Sequence, residues 1–140
     1  MTISQDYKLI VAGGRDYRDY ERMKVELSRL IREELMGYDV SIVSGMANGA
    51  DSMGFHYAEQ YAIRSYQFLA DWDNVDVPGA WVKKHANGRL YNARAGHQRN
   101  AEMARFSDGL IAFWDGRSRG TLNMIETMKG LGKLVRIVDY

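Results

Sequence analysis

A chain of 140 residues suits one ordinary domain, long enough to bury a core without disulfides or metal staples. It has no Cys, which excludes a disulfide framework and a thiolate metal site. Lys and Arg number 19 against 18 Asp and Glu, and the net charge of +1 argues against a general nucleic-acid coat. No apolar run approaches the roughly 20 residues of a membrane span.

Met1 to Tyr7 read as a short polar tail without the apolar run of a signal peptide, so a cytoplasmic protein is expected. Lys8 to Ala12 is an apolar run stopped by Gly13 and Gly14, the pattern of a buried strand. Asp19 is placed to cap a helix whose Met23, Leu27, Leu30, Ile31 and Leu35 recur at helical spacing, ending near Gly37. Val40 to Ser44 reads as a second strand, Ala50 to Ala62 as a second helix and Ser65 to Leu69 as a third strand. From Ala70 to Ala95 the pattern fails; this stretch holds the single proline, Pro78, with Gly79, Gly88 and two Trp, and reads as one long irregular loop. Order returns with a helix around Gln98 to Phe106 and a strand from Gly109 to Trp114. A helix from about Thr121 to Leu131 and a last strand from Lys133 to Val138 follow. This alternation predicts a single α/β, Rossmann-like domain over 1–140, a mostly parallel sheet with helices on both faces.

In such sheets ligands bind beyond the carboxyl ends of the strands, near the switch in strand order. Those exits carry Gly13-Gly14-Arg15-Asp16, then Ser44-Gly45-Met46-Ala47-Asn48-Gly49-Ala50-Asp51, then Ala70-Asp71-Trp72, then Asp115-Gly116-Arg117-Ser118-Arg119-Gly120-Thr121. The returns on the opposite edge are short and chemically plain. Glycines there admit close approach of backbone N–H groups, and a helix opening on Gly120-Thr121 or on Gly49-Ala50 adds donors suited to phosphate. No Walker pattern and no G-x-G-x-x-G follow the first strand, and His56, His85 and His97 lack zinc-site spacing. Neither a metal nor a cofactor is therefore expected.

Ser44 to Asp51 resembles the "SG-x-A-x-G-x-D" segment of DprA-type Rossmann folds, and His97 to Asp108 resembles the "H-x-R-K-A-E-M-A-R-x-S-D" segment of the LOG phosphoribohydrolases. With Gly13 to Tyr17 and Gly116 to Thr121 in place, the layout is similar to the YspA-like branch of the SLOG superfamily, from about Lys8 to Val138. The resemblance implies a nucleotide-binding fold, frequently dimeric or of higher homo-oligomeric order, in bacterial or phage-borne enzymes and sensors. It implies that Arg99 contacts ligand and supports glycosidic cleavage, and that Gly120 and Thr121 bind phosphate. Where the "G-T-x-x-E" of LOG places its catalytic carboxylate this chain has Met124, and Glu126 lies about 200° further round the helix.

Three readings follow. The first is binding or sensing of a phosphorylated nucleotide-derived small molecule. Its ligand-binding residues would be Gly13, Gly14, Arg15, Asp16, Ser44, Gly45, Asn48, Asp51, Arg99, Asn100, Gly116, Arg119, Gly120 and Thr121. Arg117 would join Arg15 and Arg119 on phosphate, and Trp72, Trp81 or Trp114 would stack a base. The second is an N-glycosidic hydrolase with Arg99 and a substitute carboxylate, Asp51, Asp16 or Asp115. The third is single-stranded DNA binding along the basic stretch from Lys83 to Arg105, with Trp81 and Tyr91 interleaved.

Overall fold

The computed structural model describes residues 5–140. Seven strands and four helices follow one another as β1 (Gln5–Gly13), α1 (Tyr20–Glu33), β2 (Tyr38–Ser44), α2 (Ala50–Gln60), β3 (Ser65–Gln67), β4 (Val82–Lys84), β5 (Leu90–Asn92), α3 (Ala95–Phe106), β6 (Gly109–Trp114), α4 (Arg119–Gly130) and β7 (Leu134–Asp139). Five strands form one sheet in the order β3-β2-β1-β6-β7, and every pairing in it is parallel. The α/β, Rossmann-like architecture expected from the alternation is thus the observed one.

Alternate residues of β1 feed two cores. Leu9 and Val11 pack with Met23, Leu27 and Leu30 of α1 and with Tyr57 and Ala58 of α2. Ile10 and Ala12 pack with Met103 and Ala104 of α3 and with Met124, Ile125 and Met128 of α4. A central strand with helices on both faces has no polar side, which is why Leu9 to Ala12 reads as a continuous apolar run. Asp19 caps α1, its carboxylate accepting from the Arg22 N–H at 3.0 Å. Gly54 lets α2 lie close on β1, since a Cβ there would stand 2.6 Å from the Val11 side chain.

Two expectations are corrected. The polar tail is shorter than read, because Gln5, Asp6 and Tyr7 already pair with Tyr38, Asp39 and Val40 as parallel strand; residues 1–4 lie outside the described residues. The stretch from 70 to 95 is not wholly irregular: β4 and β5 form an antiparallel hairpin, Val82 opposite Asn92 and Lys84 opposite Leu90, and α3 already begins at Ala95. The hairpin escapes a periodicity reading because only Asn92 of its six strand residues is buried, and no apolar face alternates along three-residue strands. Among the described residues no helix is long and apolar enough to cross a membrane.

Candidate functional site

The sheet reverses its strand order between β1 and β6, with β2 to one side and β7 to the other. Beyond the carboxyl ends of that central pair lies a cavity of about 190 Å³. Gly13 and Arg15 from the β1 exit, Ala47 and Asp51 from the β2 exit, Arg99 and Asn100 from α3, and Ser118, Gly120 and Thr121 from the start of α4 line it. Met103 and Met124 supply its apolar lining, and Trp72, Ala93, Gly96 and His97 its outer wall. A second cavity of about 370 Å³ adjoins it, lined by Gly45, Met46, Asn48, Leu69 and Ala70. Arg15, Ala47, Trp72 and Arg99 line both.

Arg99 is held by the backbone. Its Nη1 donates to the Gly45 carbonyl at 2.6 Å and to the Phe68 carbonyl at 3.4 Å, and its Nε donates to Asn100 Oδ1 at 3.1 Å. These bonds fix the plane of the guanidinium, while Nη2 has no protein acceptor among the described residues and lies on the Gly96 and Trp72 side. Asn100 in turn donates to the Gly120 carbonyl at 3.2 Å and to Asn123 Oδ1 at 3.0 Å, tying α3 to the first turn of α4. Gly45 is required by its surroundings: a Cβ would stand 2.6 Å from Arg99 Nη1 and 2.8 Å from Asp51 Oδ2.

Asp51 is 5% exposed. Burial pushes its carboxyl up to about 6, although the Arg99 charge and the nearby backbone N–H groups of Ala47 and Gly13 pull the other way. Arg99 shows the mirror effect: its pKa is lowered by burial first, while Asp51 opposes the shift and the neighbouring Arg15 adds to it. Arg15 and Arg99 therefore line one cavity together with a single buried carboxylate, Asp51.

The remaining expected residues divide. Asn48 reaches the second cavity only. Ser44 is fully buried, its Oγ donating to the Asp51 carbonyl at 2.8 Å and accepting from the Met46 N–H at 3.0 Å, so it shapes the loop. That loop carries Met46 at φ +60, left-handed backbone that a non-glycine residue seldom adopts. Gly14 packs against Tyr140, and Asp16 accepts the Tyr140 hydroxyl at 2.6 Å; neither lines either cavity. The Ala50 N–H, expected to be free for phosphate, donates to the Gly14 carbonyl at 3.1 Å. Gly116, Arg117 and Arg119 also stand outside both cavities. In this loop Asp115 Oδ1 accepts from the N–H groups of Arg117 and Ser118 at 2.8 Å and curls the chain on itself. Those bonds, Ser118 first, hold its carboxyl below the ordinary range. Trp114, expected as a candidate base platform, donates its indole N–H to the Ser118 carbonyl at 3.1 Å and packs its ring against the core.

Two contributors were not legible as such. Ser118 caps α4, accepting from the Thr121 N–H at 3.4 Å, a role its spacing from Thr121 signals. Asn92, buried to 1% exposure, accepts from the N–H groups of Trp81 and Arg94 at 3.1 and 3.0 Å and donates to Gln98 at 2.7 Å. Its own N–H donates to the Trp72 carbonyl at 2.7 Å, so one side chain and its backbone fasten hairpin, Trp72 and α3 together.

A family model described as YspA, cpYpsA-related SLOG family matches residues 7–74. The structure is similar to the X-ray structure of DNA processing protein A (DprA) from Streptococcus pneumoniae, with TM-score 0.65 and 21% identity over 97% of this chain and 51% of that one. It is also similar to DNA processing protein A from Helicobacter pylori, described for its single-stranded DNA binding mode, with TM-score 0.63 and 17% identity over 96% of this chain and 66% of that one. The chain thus spans about half the length of the first and 66% of the second, and the likeness at these identities is one of fold. No curated protein matches by sequence.

Proposed function

Since residues 7–74 match the model of the YspA, cpYpsA-related SLOG family, we propose that the cavity at the head of the sheet binds a phosphorylated, nucleotide-derived small molecule. The observation that carries this reading is Arg99, held by three bonds to protein oxygens with Nη2 left over, in a cavity lining it shares with Arg15. A guanidinium anchored in this way loses little entropy on meeting an anion, and charge-assisted bonds in a half-buried site are strong. Apolar surface from Met103 and Met124 suits a sugar or base edge, and the polar ends of Asn100 and Thr121 would orient it.

Met124, 1% exposed, lines the cavity where a LOG-like hydrolase would need its carboxylate, which favours binding over cleavage. The test is calorimetric titration with nucleoside mono- and diphosphates. We expect at least one to bind, and Arg99→Ala to weaken it by about 10- to 100-fold, the loss of one charge-assisted contact. Equal affinity of wild type and Arg99→Ala would refute the site.

A second reading is supported by the rim. Lys83 Nζ lies 4.2 Å and Arg94 5.5 Å from the Trp81 ring on the hairpin that leads to Ala93 at the cavity wall. Cations interleaved with aromatics suit a single strand of nucleic acid, which the H. pylori protein is described as binding. Oligonucleotide affinity that falls steeply with salt would favour this reading.

A further inference from the structure

The two cavities differ in everything except the wall they share. Arg15 and Arg99 stand in that wall, with Ala47 and the Trp72 ring. Away from it, the second cavity is lined by Gly45, Met46, Asn48, Leu69 and Ala70, none of them charged. The first cavity, away from the wall, has the buried Asp51 as its one carboxylate, and otherwise apolar and neutral polar groups with His97 at its outer side. Positive charge therefore sits in the middle, with uncharged surface on either side.

Resting on the nucleotide-binding reading, we propose that the ligand carries its phosphate internally, esterified on both sides, with the phosphate at the Arg15–Arg99 wall and an organic unit in each cavity. A terminal monophosphate reaching that wall from the first cavity would leave the second empty. Placed deeper, beside Asp51, it would meet a carboxylate. Trp72 strengthens the case for a two-sided ligand. Its ring rests on the first turn of α3, where a Cβ on Gly96 would lie 3.3 Å away, yet the residue is still 40% exposed. One indole is thus offered to both cavities at the point where the phosphate passes.

The chemistry fits a phosphodiester, as in a dinucleotide or a nucleic-acid strand, or a pyrophosphate joining two nucleosides. The experiment titrates the whole chain, in the adenine and thymine series, with the nucleoside monophosphate, the 3′,5′-dinucleoside monophosphate, the dinucleoside pyrophosphate and a decadeoxynucleotide. A bridged ligand is expected to bind about ten-fold or more tightly than the monophosphate. Preference for the pyrophosphate assigns a dinucleotide-like small molecule; a decamer tighter than the dinucleotide assigns a strand. Leu69→Trp, at an exposed position on the second cavity alone of the two, should bring the ratio of bridged to terminal ligand near one, and Trp72→Ala should lower it. A monophosphate that binds as tightly as every bridged ligand overturns this inference and leaves the nucleotide-binding reading intact. If no ligand binds in either series, both fall together.

Discussion

Asp51 gives the cavity a measurable signature without any ligand. A carboxyl whose folded pKa is raised from 3.8 to about 6 binds protons more readily in the native state than in the unfolded one. The sign follows: native protonation favours folding, so its stabilising contribution is present below pH 4 to 5 and is lost as pH rises through about 6. Between pH 5 and pH 7.5 this one group should make the wild type lose roughly 1 kcal/mol of stability. Asp51→Asn removes the titration while keeping the shape of the side chain and one acceptor oxygen. The assay is urea unfolding of both proteins at several pH values, read as their difference so that other titrating groups cancel. Asp51→Asn should gain on the wild type by about 1 kcal/mol from pH 5 to pH 7.5, whatever its constant offset. A pH-independent difference, or one of opposite slope, would show the carboxylate to be hydrated and would refute the dry, backbone-walled pocket behind Gly45. An anion bound between Arg15 and Arg99 should steepen the same difference, because it adds repulsion to the ionised carboxylate.

Asn92→Ala should loosen the segment from Trp72 to Arg94 by about 2–4 kcal/mol, since it strips three hydrogen bonds from a buried position and leaves N–H groups unpaired. Faster amide exchange confined to this segment, with the sheet unchanged, is the result to look for. Met124→Glu restores a carboxylate at the position LOG enzymes use but places it at a site only 1% exposed. It should destabilise the fold by several kcal/mol at pH 7.5 and less at pH 5, as melting temperatures would report.

Much of this was written in the order of residues. The run from Leu9 to Ala12 shows its two-sided burial because no polar residue interrupts it, and the Met23, Leu27, Leu30 stripe marks the buried face of α1. Arg99, Asp51, Asn100 and Thr121 converge because strand exits must share one edge, a consequence of parallel pairing alone. Side-chain partners were less legible. Ser44 and Asp16 have the right chemistry at the right exits, yet each spends it on a neighbour: Ser44 on its own loop, Asp16 on Tyr140 more than 120 residues away. Arg117 and Arg119 lie outside both cavities, where a local Asx turn at Asp115 curls the loop on itself, and no hydrophobic spacing in the sequence announces that turn. The hairpin and Asn92 were hidden for a related reason: polar contacts between short exposed strands leave no periodic trace.

The parallel sheet has a consequence for when this cavity comes into being. β1 is completed by β6, and Leu9 pairs with Gly109, 100 positions further along the chain. No single loop contains the site: Arg15 after β1, Asp51 on α2, Arg99 on α3 and Thr121 on α4 meet only once the central strands have paired and their helices have packed. Recognition here is therefore a late property of folding, all or none with the sheet. A ligand that prefers the assembled cavity holds together the whole protein, coupling occupancy directly to the survival of the folded chain.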